Sequence, residues 1–191
     1  MMTIRRALPD DLPDVLGILH AAADNLHERG IDQWPDGAPT LGPGKIGDQI
    51  SRGEFWIADD AAGPVAVIAI SPQGDPDFWT DGELAEPAVY LSKAAVLPSA
   101  AGRGIGALLF RWACDYAYRL GAGWVRLDAW RTNTGLHDYY AQRGWGRVRA
   151  MTVPGRKSGV LFARRALPDL EAREAFTETI GVTVGAAHLR T

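Results

Sequence analysis

Three glycines, Gly102, Gly104 and Gly106, alternate with Arg103 and Ile105 directly before a helix-like apolar pattern. Glycine allows positive φ angles and lets the backbone approach a ligand closely. The first N–H groups of a helix have no partner within it and lie at the positive end of its dipole. Such groups bind anions, phosphate most naturally, and a guanidinium adds a charged donor. The spacing therefore predicts a phosphate site; the alternative is a tight turn whose glycines serve packing alone.

This stretch differs from two common nucleotide-binding motifs. A Walker loop requires Gly-Lys followed by Ser or Thr, which the sequence lacks. The Rossmann fingerprint places glycines first, third and sixth, where Gly102 and Gly104 fit and Ala107 stands at the sixth position. Asp128 lies near the distance expected for the ribose-binding acid. A nucleotide-dependent oxidoreductase thus stays an alternative, although that fold usually opens with its nucleotide unit and here two antiparallel-looking strands come first.

The residues after the glycines have the period of an amphipathic helix over 104–120. Its apolar face is formed by Ile105, Leu108, Leu109, Trp112, Ala113, Tyr116, Ala117 and Leu120. Arg111, Asp115 and Arg119 lie on the other side, spaced for i,i+4 ion pairs. Strands are predicted before the helix, at 89–97, and after it, at 125–130. Such a unit pairs its strands in parallel through a right-handed crossover.

The remaining pattern predicts antiparallel strands around this unit. Strands are expected at 3–6, 54–59, 64–71, 145–153 and 159–164, and helices from about 9 to 19, at 45–51 and at 134–143. The fold class is therefore α+β: a single mixed, mostly antiparallel sheet with a central parallel β-α-β unit and helices on both faces. We expect one domain over 1–166 and a C-terminal extension over 167–191 that is helical or docks on a partner.

Two motifs resemble those of the GNAT N-acetyltransferase superfamily. The stretch AAVLPSAAGRGIGALLFRWA is similar to its acetyl-coenzyme A motif, a strand ending Val-x-Pro followed by Arg/Gln-x-x-Gly-x-Gly/Ala. Gly104 and Gly106 fit the glycines, whereas Ala101 replaces the usual Arg or Gln. The stretch NTGLHDYYAQRGW resembles the second signature, Asn-x-x-Ala-x-x-x-Tyr-x-x-x-Gly-Phe, with Leu136 and Trp145 as departures. The order of elements matches over about 3–164.

The resemblance implies a GNAT-like acyl-CoA N-acyltransferase fold and direct transfer of an acetyl group, in a ternary complex, from acetyl-CoA to a primary amine of a small molecule or peptide. The diphosphate would lie on the amides after the central strand, and the pantetheine arm along that strand. The implied cofactor-binding residues are Ala95, Val96, Gly102, Arg103, Gly104, Ile105, Gly106, Ala107, Asn133 and Tyr140.

The resemblance also implies catalytic roles. The Val96 N–H would stabilise the oxyanion, and Tyr140, a phenol with a reference pKa near 10, would protonate the departing thiolate. Many relatives carry a Glu on the central strand, where this sequence has Ser92 and Lys93, neither of them a natural base. Water could relay the proton through Ser92 to a more distant carboxylate or imidazole; the alternative is that an amine which arrives neutral needs no dedicated base. The open candidates are Glu83, Glu86, Asp128, His20 and His27.

Tryptophans in expected loops point to an acceptor pocket. Trp34, Trp79 and Trp130, together with Asp128, are our candidate substrate-binding residues, since aromatic rings stack on rings or cationic amines. The alternative is that these rings cap edges of the core. Trp56, Trp112, Trp124 and Trp145 are assigned to packing.

Composition excludes several functional classes. A net charge of -3 argues against a nucleic-acid binder, and no His/Cys/Asp/Glu set has metal-ligand spacing, so neither nucleic acid nor metal is expected. The single Cys114 allows no internal disulfide, and without an apolar stretch long enough for a membrane span we expect a cytoplasmic protein. An exposed sheet edge would allow a homodimer. The missing strand carboxylate keeps a non-catalytic acyl-CoA-binding sensor as the second functional alternative.

Overall fold

The computed structural model describes residues 2–35 and 41–179, and in this part of the chain eight strands form one sheet. The strands are β1 (Met2–Arg6), β2 (Phe55–Asp60), β3 (Gly63–Ser71), β4 (Ala88–Val96), β5 (Trp124–Trp130), β6 (Gly146–Ala150), β7 (Ser158–Arg165) and β8 (Phe176–Thr179). The helices are α1 (Leu12–Glu28), α2 (Pro43–Ser51), α3 (Asp81–Leu84), α4 (Ile105–Arg119), α5 (Thr134–Ala141) and α6 (Leu170–Glu174).

The sheet has the order β6-β7-β5-β4-β3-β2-β1-β8. The pairs β4–β5 and β1–β8 are parallel, and every other neighbouring pair is antiparallel. Because α4 connects β4 to β5, the central unit is the β-α-β crossover that the sequence predicts. The fold class is confirmed: one mixed, mostly antiparallel sheet with helices on its faces.

Two apolar layers lie on opposite faces of the sheet, as the period of two along its strands requires. On one face Ile57 and Val67 pack with Val15 and Leu19 of α1. On the other face the central strands pack against the helix that follows the glycines, where Trp112 is fully buried. The site residues on β4 are thus held between two covered faces.

The C-terminal segment adds α6 and then β8, which pairs in parallel with β1 from Met2↔Phe176 to Arg5↔Thr179. The expected boundary between 166 and 167 stays a prediction, and residues 180–191 of the expected extension lie outside the described residues. Within 2–35 and 41–179, no helix combines the length and apolarity needed to cross a membrane.

Asp115 corrects one expectation about α4. The sequence places it on the solvent side, and its predicted i,i+4 ion pair with Arg119 is present at 2.8 Å. The side chain, however, is fully buried, because the segment leading into α6 covers it. Arg173 donates to Asp115 Oδ1 at 2.6 Å and the Asp169 N–H donates at 3.0 Å. A buried ionic cluster therefore fixes the C-terminal segment to α4.

Candidate active site

The central strands separate at the point where the cavity opens. Parallel pairing of β4 with β5 ends at Leu91↔Leu127, whereas β4 continues to pair with β3 as far as Ala66↔Val96. The edge of β4 beyond Leu91 is therefore free of β5. It lines a cavity of about 940 Å³. An open strand edge offers backbone donors and acceptors to an extended ligand.

A β-bulge lies on this free part of β4. Ser92 pairs with Ala69 and Ala95 with Val67, so β4 has one residue more than β3 over this interval. Lys93, within the bulge, has a φ of 51°, which is rare for a residue with a side chain. Bulges next to functional sites redirect side chains. Here the bulge lies on the floor of the cavity.

The N-terminus of α4 meets the same cavity. Gly104 is its N-cap, with a φ of 76°, and no side chain caps the helix. The first helical bond is donated by Leu108 N to Gly104 O, and the amides of 102–107 have no hydrogen-bond partner in the described part of the chain. Gly106 and Ala101 line the cavity. This is the bare helix start that the glycine spacing predicts.

Arg103, expected beside the phosphate, makes an ion pair in this structure. Its Nη1 lies 2.7 Å from Asp60 Oδ2, at the end of β2. The guanidinium is about half exposed, so this ion pair contributes little to stability, as is usual for ion pairs at the surface. Arg103 is therefore close to the helix start, with one of its five N–H donors bonded to Asp60.

Tyr140 on α5 lines the cavity from an aromatic cluster and is 7% exposed. Its ring lies edge-on to those of Phe110 and Trp145, with distances between ring centroids of 5.5 Å and 5.8 Å. Burial raises the pKa of the phenol well above its usual value. The hydroxyl is thus protonated throughout the neutral pH range, as a proton donor must be.

Asn133 also lines the cavity, but both ends of its amide are engaged. It is the N-cap of α5: its Oδ1 accepts from Leu136 N at 3.1 Å. Its Nδ2 donates to Gln33 Oε1 at 2.8 Å. Asn133 therefore begins α5 and ties it to the segment after α1, and the expected contact with the cofactor stays a prediction.

The three candidate tryptophans are brought to one cavity with Asp128 and Tyr140. Trp79 is 3% exposed and packs edge-on against Tyr90 at 5.7 Å. The indole of Trp130 donates to Asp32 Oδ1 at 3.1 Å, so the segment after α1 is tied to the end of β5. The tryptophans line the same cavity as Asp128, while their contact with an acceptor stays a prediction.

The model of the acetyltransferase (GNAT) family matches residues 19–145. The chain belongs to this family. A curated relative, the uncharacterized N-acetyltransferase YesJ of Bacillus subtilis, is 27% identical over 142 residues, which cover 73% of this chain and 78% of that one. The chain is therefore an acyltransferase, which decides against the sensor and the oxidoreductase.

Solved structures of GNAT proteins share this fold. An acetyltransferase of the family from Listeria monocytogenes superposes with a TM-score of 0.72 at 21% identity, covering 86% of this chain and 94% of that one. The PaiA N-acetyltransferase of Thermoplasma acidophilum, solved in complex with coenzyme A, gives 0.62 at 15% identity, with coverages of 86% and 99%.

The charged side chains that line the cavity of this GNAT chain differ in how their surroundings shift their pKa values. Burial raises the pKa of the Asp128 carboxyl, opposed by a hydrogen bond from Ser158. Burial lowers the pKa of Lys93 to about 8. Burial would also raise the pKa of Glu54, but hydrogen bonds from Arg52 and Gln49 outweigh it and hold that pKa below its usual value. Asp128 is thus the cavity carboxyl best suited to accept a proton.

The other candidate bases are committed elsewhere or lie outside the cavity lining. Glu83 caps α3 and bonds to Arg149, and Glu86 pairs with Arg126. His27 contacts the Gln33 carbonyl at 3.1 Å, and His20 is exposed. None of the four lines the cavity. In the described residues no group of three or more His, Cys, Asp or Glu side chains is arranged to hold a metal ion.

Sequence reasoning missed two cavity residues. Glu54 was not a candidate, because it is separated in sequence from both motifs and only the sheet brings it there. Lys93 is not a natural base, so the sequence gives it no catalytic role. The available signal is a charged residue inside a mostly apolar strand.

Proposed function

We propose that this chain transfers the acetyl group of acetyl-CoA to a primary amine of a small molecule or peptide, directly and within a ternary complex. One observation carries the proposal: the free edge of β4 runs into the uncapped start of α4, and both open on a single cavity that Tyr140 lines. A coenzyme A complex of the similarly folded PaiA protein supports the choice of donor.

The backbone of this segment suits a thioester carrier. Unpartnered amides over 102–107 would hold the diphosphate, since a helix start and glycine backbone favour anions. The Arg103 guanidinium would donate to a phosphate oxygen in place of Asp60. Ala95 and Val96, without a β5 partner, would pair with the amide groups of the pantetheine arm as a further strand would. Ala101, in place of Arg or Gln, removes one side-chain contact but none of these amides.

Three groups would carry the chemistry once the acetyl carbon is attacked. The Val96 N–H donates to the carbonyl oxygen on which charge develops. As the C–N bond forms and the C–S bond breaks, Tyr140 gives its proton to sulfur. Asp128 takes the proton that the amine loses, directly or through Ser92 and water, and solvent exchange then restores both groups. The raised pKa of Asp128 brings this base closer to the working pH.

The proposal is tested by following thiol release from acetyl-CoA in the presence of a panel of amino acids, polyamines and peptides with free N-termini. We expect release that depends on one acceptor class and saturates with both substrates in an intersecting pattern. Tight binding of acetyl-CoA by calorimetry, with no acceptor-dependent release from any class, would overturn the proposed function.

A further inference from the structure

Lys93 is distinguished from its neighbours by its backbone. A left-handed φ costs a residue with a Cβ about 1–2 kcal/mol, and such strain persists mainly where surrounding structure enforces it, often at functional sites. The register of β4 against β3 enforces it here, because the extra residue lies between Ser92 and Ala95. The strained residue lines the cavity just beyond the last β4–β5 pair.

The Lys93 ammonium has no ion pair with any carboxylate of the described residues. Of the acidic side chains that line the cavity, Glu54 is bound by Arg52 at 2.8 Å. Asp75 is bound by Arg156 at 2.5 Å. The third, Asp128, makes no ion pair within the described part of the chain. Lys93 and Asp128, one on each of the separating strands, are thus the partly buried charged groups of the cavity that make no ion pair within the described residues, whereas Lys45 and Lys157 are exposed.

The charge of the cavity as a whole favours an anion. Five cationic and three acidic side chains of the described residues line it. Two of those carboxylates are neutralised by arginines, and Lys45 and Lys157 add exposed positive charge at the rim. A cleft with an excess of one sign concentrates ligands of the other sign.

The diphosphate of the donor cannot account for Lys93. Lys93 precedes Val96 by three residues, at most about 10 Å along this bulged strand, and the glycines lie beyond Val96 in the same direction. With the thioester at Val96, the half-buried lysine would lie on the acceptor side, in the cavity that Asp128 and the three tryptophans also line.

We propose that Lys93 binds a carboxylate of the acceptor, so that the acceptor is an amino acid whose amine lies against Asp128. This inference rests on the proposed function and narrows it. A zwitterion presents one group of each sign, and the partly buried Lys93 and Asp128, neither of them in an ion pair with a described residue, match it. A simple amine would leave the Lys93 ammonium half-buried and unpaired beside a bound cation, which is costly.

Matched pairs of acceptors test the inference. The probes are amino acids with the amine on the α-carbon or at the end of the side chain, each compared with its own carboxamide. Turnover is measured by thiol release from acetyl-CoA, and binding by calorimetry on protein saturated with coenzyme A. We expect kcat/KM for the best acid to exceed that for its carboxamide by at least about tenfold. In Lys93→Met, of similar side-chain length, we expect that ratio to fall close to one, whereas Lys93→Arg keeps part of it.

Lys157→Met is the matched control, since it removes a lysine at the exposed rim of the same cavity, and it should keep the ratio. A wild-type protein that acetylates carboxamides or polyamines as well as acids, or a Lys93→Met variant that keeps the ratio, would overturn the inference while leaving the proposed function standing. Binding of the acid by calorimetry, lost in Lys93→Met but without thiol release, would support the inference and overturn the proposed function.

Discussion

Gly104 and Gly121 flank α4 with nearly the same backbone conformation, at φ angles of 76° and 82°. At neither position would a Cβ meet another atom within 4 Å. They differ in what surrounds them: Gly104 is the N-cap two residues before Gly106, which lines the cavity, whereas Gly121 follows the other end of the helix. Substituting each glycine in turn therefore distinguishes the effect of backbone strain, which both share, from the effect on the cavity, which only Gly104 has.

Gly104→Ala should weaken acetyl-CoA binding about tenfold, because the amides after the N-cap must keep their positions to hold a diphosphate. The same variant should lose about 1 kcal/mol of unfolding free energy from the positive φ. Gly121→Ala should lose a similar amount of stability and bind acetyl-CoA as the wild type does. Calorimetry and thermal unfolding measure both effects, and equal losses of affinity in the two variants would contradict the assignment of the helix start.

Tyr140→Phe should lower kcat by about 100-fold or more, with little change in stability, because it removes the proton donor but keeps the ring contacts with Phe110 and Trp145. Steady-state kinetics and thermal unfolding measure the two quantities. Tyr118→Phe, on the exposed side of α4, is the control and should have no effect on either. A Tyr140→Phe variant with wild-type kcat would show that sulfur leaves without this proton.

Asp128→Asn should lose activity and gain or keep stability. The native pKa of Asp128 is raised above the unfolded value, so its favourable contribution is present below the unfolded pKa near 3.9 and is lost as the pH rises through the native pKa. The stability of the variant relative to wild type should therefore increase from pH 3 towards pH 8. Denaturant unfolding across this range measures it. A difference that is constant with pH would show that the carboxyl is not perturbed.

Asp115→Asn should destabilise the protein by about 2 to 3 kcal/mol at neutral pH, because charged hydrogen bonds to a fully buried carboxylate are lost. Burial would raise the pKa of Asp115, but the bonds from Arg173 and Arg119 outweigh it and lower it. The contribution is thus present above the unfolded pKa and lost as the pH falls through the native one. Wild type and variant should converge in acid; a gap that persists there would contradict this account.

The sequence by itself determined the central unit and its glycines. The hairpin of β2 and β3, the parallel β4-α4-β5 crossover and the apolar period of α4 as far as Ala117 were confirmed. Leu120, expected on the apolar face, is instead exposed just past the end of the helix. These features depend on local rules: a period of 3.6 or 2, turn residues, and the handedness of short connections. The two motifs likewise indicated the family, because each is a short segment whose residues are neighbours in the sequence itself.

Only the tertiary structure decided how separate segments share the site. Arg103 meets Asp60 across 43 residues of sequence, and Asp115 is buried because Arg173 and Asp169 fold over it. Lys93 enters the cavity because β4 has one residue more than β3, a count that exists only once the strands are in register. A local sequence pattern does not specify which distant residues become neighbours. The positions of these charges therefore follow from packing and strand register alone.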